Sequence, residues 1–115
     1  MSGELPQLPA ELGLLVLCTC ASGEEAERIG RALVEEHLAA CANVFDHPVY
    51  SIYRWQGAVE QAREILLLIK TTAARFEAVR KRVEELHSYD TPEIIALPLV
   101  AGSEKYLSWL REQVH

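Results

Sequence analysis

The sequence is short of positive charge. Lys and Arg number 11 against 17 Asp and Glu, a formal net charge of −6. Proteins that neutralise phosphates carry a basic face, so neither nucleic acid nor an anionic membrane is an expected partner, and cations suit this surface better. Cysteine is scarce too. Cys18, Cys20 and Cys41 are too few, and odd in number, for a disulfide framework, which points to a reducing, cytoplasmic setting. No run approaches the ~18 apolar residues of a membrane span. The opening MSGELPQLPAELG has neither a basic region nor a long apolar stretch, so it does not read as a signal peptide. Repeats, low-complexity tracts, phosphate-cradling Gly loops, nucleophile elbows and zinc-protease helices are all missing, so the chain is not expected to be an enzyme. Asp46 and His47 are neighbours in a turn, and adjacency is not a hydrogen-bonded dyad.

What is present is a globular composition over 115 residues, half of them hydrophobic, enough for one domain with a real core. Residues 1–12 read as a flexible tail and residues 13–115 as the domain. LLVLCTCA (Leu14 to Ala21) reads as a buried strand. Ser22 and Glu25 form a capping box, and a helix follows to about Leu38, with Ala26, Ile29, Leu33 and His37 on one stripe. Ala40 to Gly57 reads as one long strand, interrupted at Pro48 by an edge or bulge. QGAV turns the chain into EILLLIKT, through a polar approach that makes a long hairpin with the strand before it. Phe76, Val79, Val83 and Leu86 mark a second helix, Glu93 to Val100 a fourth strand, and Ser103 onward a terminal helix with Tyr106, Leu107, Leu110 and Val114 inward.

This order predicts an α+β, ferredoxin-like βαββαβ antiparallel sheet, strand order 4-1-3-2, with an extra C-terminal helix. The first, third and fourth strands do not alternate; they are apolar on both faces. Two helices cover one face only. The other predicts burial against further copies of the chain.

LAACANV, SIYRWQG, EILLLIKT, LHSYDTPEI, ALPL and YLSWL run in order through nearly everything after Leu14, and together they resemble the CutA family of divalent-cation tolerance proteins. The resemblance implies a ferredoxin-like subunit in a homotrimer clasped by long hairpins. It implies a link to tolerance of copper and other divalent cations, and no established catalytic reaction. The assembly is similar to that of PII-type signalling proteins. A trimeric sensor with a small organic ligand between subunits is therefore one alternative, and a structural trimer that scaffolds a partner is another. Two departures stand out: FDHPVY carries one residue more than the family pattern, and Ser88 replaces the Pro of the family's HPY segment.

Cys18 and Cys20 share one face of the first strand, and the topology brings them toward His87. A thiolate and an imidazole suit copper or zinc. The copper ligands proposed for the family match Cys18 and His87, so copper or another divalent cation is the implied cofactor, with no organic cofactor. A free Cys on an apolar strand and a His at a helix end also have ordinary structural roles. Cys41 reads as core. Tyr53, Trp55, Glu64, Lys70, Tyr89, Glu93 and Trp109 are cleft or interface residues: Glu64 and Lys70 lie on one side of their strand, and the aromatics suit interface anchoring.

Overall fold

The computed structural model describes residues 8–115. Five strands and three helices appear in the order β1 (Gly13–Cys20), α1 (Gly23–Glu35), β2 (Cys41–Val44), β3 (Val49–Trp55), β4 (Ala58–Thr72), α2 (Phe76–Leu86), β5 (Ile95–Pro98) and α3 (Glu104–Gln113), with a 3-10 turn at Ala73–Arg75 before α2. All pairings are antiparallel, and the sheet order is β2-β4-β1-β5, with β3 pairing the far half of β4. This mixed fold has the expected split βαβ topology. The expected tail lies outside the described residues up to residue 7. From Leu8 on, the chain packs against the core, and the carbonyls of Ala10 and Leu12 accept from the amides of Ala74 and Ala73, each at 2.9 Å.

The core lies between the sheet and the first two helices. Alternate β1 residues Leu14, Val16, Cys18 and Cys20 are buried, and Leu67 and Ile69 of β4 pair beside them. Against them sit Ala26, Ile29 and Leu33 of α1 and Val79 and Val83 of α2, all fully buried. The helix-1 stripe stops one turn short of expectation. The α1 helix ends at Glu35, and His37 takes the left-handed conformation (φ 61°) while the amides of Leu38 and Ala39 both reach back to the Leu33 carbonyl. That is a Schellman-type stop with His where Gly is usual, and it turns the His37 ring out of the stripe to stack on His115, with ring centroids 4.2 Å apart.

The expected single strand from Ala40 to Gly57 is two. Val44 pairs Leu67, and regular pairing would then set residue 47 against Glu64. Val49 stands there instead. Two extra residues therefore bulge out between Phe45 and Pro48, because Pro48 has no amide hydrogen for the ladder. The fourth strand is likewise shorter than expected. β4, by contrast, runs unbroken through 15 residues, about 46 Å if fully extended, comparable to the molecule's longest dimension of 43 Å. The β3–β4 hairpin closes through Gln56 and Gly57, whose φ values of 50° and 84° fit the type I′ turn that matches strand twist.

On the opposite face of the sheet, α3 buries Leu110 completely, and its Tyr106 hydroxyl meets Lys70 Nζ at 3.4 Å. The helix does not cover the whole face. Ile95 and Leu97 of β5 stay about half exposed, as does Trp55 on the hairpin. Cys41, expected in the core, is only partly buried, with its Sγ 3.7 Å from Asn43 Oδ1.

Candidate metal centre and adjoining pocket

Strand alternation puts Cys18 and Cys20 on the helix side of β1 and Thr19 on the other. His87 follows the last turn of α2, where its amide bonds the Val83 carbonyl at 2.8 Å. Its buried ring comes down on the end of β1, and one ligand atom from each of Cys18, Cys20 and His87 lies within 4.8 Å of the others. The ring is held at both nitrogens. Nδ1 accepts from the Tyr89 amide at 3.0 Å, so the proton sits on Nε2, which donates to the Thr19 carbonyl at 2.8 Å. That carbonyl is free to accept because β5 pairs with β1 only as far as Leu17.

Glu25 ties this corner together. Ser22 Oγ caps α1 by accepting from the Glu25 amide at 3.1 Å, and Glu25 Oε1 reaches back to the Ala21 amide at 3.0 Å, the reciprocal arrangement of a capping box. Its other oxygen, Oε2, accepts from the Ser88 amide at 2.9 Å. Burial opposes the charged form, but the Ser88 and Ala21 donors outweigh it and hold the carboxyl below its ordinary value. Glu25 thus fixes the turn that aims His87.

Two thiols and an imidazole are a donor set suited to copper or zinc. Their present state is closed. The Cys18 thiol is pushed strongly upward, first by its hydrogen bond with Cys20 and then by burial, so it keeps its proton. The one lone pair of the ring is engaged by the Tyr89 amide. The residues fit a soft cation in chemistry, and an incoming ion must displace a thiol proton and the Tyr89 hydrogen bond to use them.

Behind β1, on the side Thr19 faces, lies a pocket of about 690 Å³ lined by residues of β1, the β3–β4 hairpin and the 89–93 segment. Tyr53, Trp55, Glu64, Tyr89 and Glu93 line it, and so do Thr19 and Asp90. Glu64 is only 8% exposed, and its Oε2 accepts from the Tyr89 hydroxyl at 2.8 Å. Burial, and then this bond to Glu64, push the Tyr89 phenol upward, so it stays a donor through the neutral range. Tyr89 therefore touches both places: its amide holds His87 and its hydroxyl holds Glu64.

Lys70 and Trp109 lie elsewhere. Lys70 shares a face with Glu64, but six residues along a strand put it about 20 Å away, beside Tyr106, on which Trp109 packs with ring centroids 5.4 Å apart. Three contributors had no sequence signal as site residues. Glu25 was legible only as a cap, Thr19 acts toward His87 through its backbone, and Asp90 sits in a turn with no periodicity.

A family model described as the CutA1 divalent ion tolerance protein matches residues 14–113. A divalent-cation tolerance protein of Thermus thermophilus is 52% identical over 98 residues, covering 85% of this chain and 94% of the relative. Its counterpart from Archaeoglobus fulgidus is 42% identical over 99 residues, covering 86% and 95%. Among solved structures, the divalent cation tolerance protein of T. thermophilus superposes with a TM-score of 0.88 at 49% identity, over 90% of this chain and all of that one. The A. fulgidus structure, described as a periplasmic divalent cation tolerance protein, gives 0.86 at 40% identity over 90% of this chain and all of its own.

Proposed function

Because the chain belongs to the CutA1 divalent ion tolerance family, we propose that it serves in tolerance of divalent cations by holding copper or another soft cation at Cys18 and His87, with Cys20 as a third donor. The observation that carries this reading is the convergence of three soft donors within 4.8 Å on a corner fixed by Glu25. A bound soft cation would supply the positive charge that lets a buried thiol give up its proton. The working form is a homotrimer without catalytic activity. Half-exposed Ile95 and Leu97 on the uncovered sheet face support burial against neighbouring copies. Free thiols at all three cysteines support a reducing, cytoplasmic setting, and among the described residues no helix is long and apolar enough to cross a membrane.

Calorimetric titration with Cu²⁺ and Zn²⁺ tests the metal reading. Cys18→Ser and His87→Ala should each weaken binding roughly tenfold or more, and unchanged affinity in the folded Cys18→Ser protein overturns the site. Sedimentation as a 12.9 kDa monomer overturns the assembly.

A second reading, a PII-like trimeric sensor of a small organic ligand, is favoured by the pocket of about 690 Å³ beside Glu64 and Tyr89, a size in the range of small-molecule sites.

A further inference from the structure

We propose that the pocket between β1, the β3–β4 hairpin and the 89–93 segment binds a small organic cation, an aryl- or alkylammonium, through Glu64 and the faces of Tyr53, Trp55 and Tyr89. This rests on the reading of the pocket as a ligand site and specifies the ligand's charge.

The lining decides the sign. It holds three carboxylates, Glu64, Asp90 and Glu93, and no Lys, Arg or His. Among the described residues none of the three carboxylates is in an ion pair. Phosphates and other anions would meet three carboxylates and no cationic side chain there.

The lining also decides the body of the ligand. Three aromatic rings border the pocket, and ring faces attract ammonium groups through their quadrupoles, most strongly where water is excluded. Rings offer nothing to a hard metal ion, which asks for oxygen ligands at short range. The volume of about 690 Å³ is also far larger than an ion requires.

Glu64 supplies the anchor. It is 92% buried, being 8% exposed. Only its Oε2 accepts a hydrogen bond among the described residues, from the Tyr89 hydroxyl. Its Oε1 remains to receive a charged N–H, a bond stronger than a neutral one, or to face a quaternary ammonium. Tyr89 is doubly held, by its amide on His87 and its hydroxyl on Glu64, so this wall of the pocket is set before a ligand arrives.

The test uses the assembled protein as purified, in a Trp109→Phe background that leaves Trp55 as the remaining tryptophan of the two. Benzyltrimethylammonium, benzyl alcohol and benzoate, similar in body and different in charge, are titrated against Trp55 fluorescence and by calorimetry. The cation should bind and the benzoate should not. Glu64→Gln should weaken the cation about tenfold or more and leave benzyl alcohol unchanged. If benzoate or benzyl alcohol binds as well as the cation, or Glu64→Gln leaves the cation's affinity unchanged, the charge assignment falls and the pocket stands. If none of the three binds at millimolar concentration, the pocket reading falls with it. Neither outcome bears on the metal centre, which is read separately with Cu²⁺ and Zn²⁺.

Discussion

The two sides of the end of β1 differ in kind. On the helix side, Cys18, Cys20 and His87 form a closed cluster in which both ring nitrogens of His87 and the Cys18 thiol are engaged by the protein itself. On the other side, Thr19, Glu64 and Tyr89 border an open, acidic and aromatic pocket whose carboxylates have spare capacity. One residue step along a strand separates them. The closed side can act only by breaking bonds it already has, so its ligand must be strong and soft. The open side can act without rearrangement, so its ligand can be weak and exchangeable.

Mutations separate the two sides. The largest effect is expected at the closed cluster. His87→Ala removes a buried ring, leaves the Tyr89 amide without a partner and leaves the Thr19 carbonyl with only the long Cys18 Sγ contact of 3.9 Å, which should cost roughly 3 kcal/mol. Denaturant unfolding measures this, and a loss below about 1 kcal/mol would show that the cluster is not the closed unit described.

Next comes Glu25. Its folded carboxyl titrates below its ordinary value of 4.5, so the stability it contributes is fully present above pH 4.5 and is lost as pH falls through the folded value. Glu25→Gln should lower the thermal midpoint at neutral pH, by the equivalent of about 1–2 kcal/mol. Below pH 4.5 the mutant and wild-type curves should converge. Parallel curves down to acid pH would contradict the role given to its charge.

The smallest effect is expected where the two sides share a residue. Tyr89→Phe keeps the amide on His87 and removes the hydroxyl from Glu64, at a cost of about 1 kcal/mol. It should leave soft-cation affinity unchanged while altering the pocket. A matching loss of Cu²⁺ affinity would mean that the two sides are one site.

How far the sequence carried these conclusions depends on the kind of information each needed. The apolar run of β1, the stripe Phe76-Val79-Val83 and the Ser22–Glu25 cap are local patterns, and the structure has each of them. The long hairpin was legible because QG between two strand-like runs specifies a tight turn. The split at Phe45 to Pro48 was only half legible: Pro48 signals an interruption, but the count of bulged residues depends on how Val44 and Val49 pair with Leu67 and Glu64, well along the chain on β4. Periodicity gave the face that Lys70 shares with Glu64 but not the roughly 20 Å between them, because alternation records side and not distance. The convergence of Cys18, Cys20 and His87 needed the topology, and their hydrogen-bonded closure needed backbone groups of Thr19 and Tyr89 that no side-chain pattern reveals.

The unbroken β4 has a mechanical consequence. It is hydrogen-bonded to β1, β2 and β3 along its 15 residues, so a force along its axis loads many backbone bonds together, in shear. A force that lifts the Gln56–Gly57 tip away from the sheet instead opens the β3 ladder one pair at a time, down to the bulge at Pro48. The hairpin is therefore stiff to pulling and soft to peeling, and the bulge marks where a peel would stop.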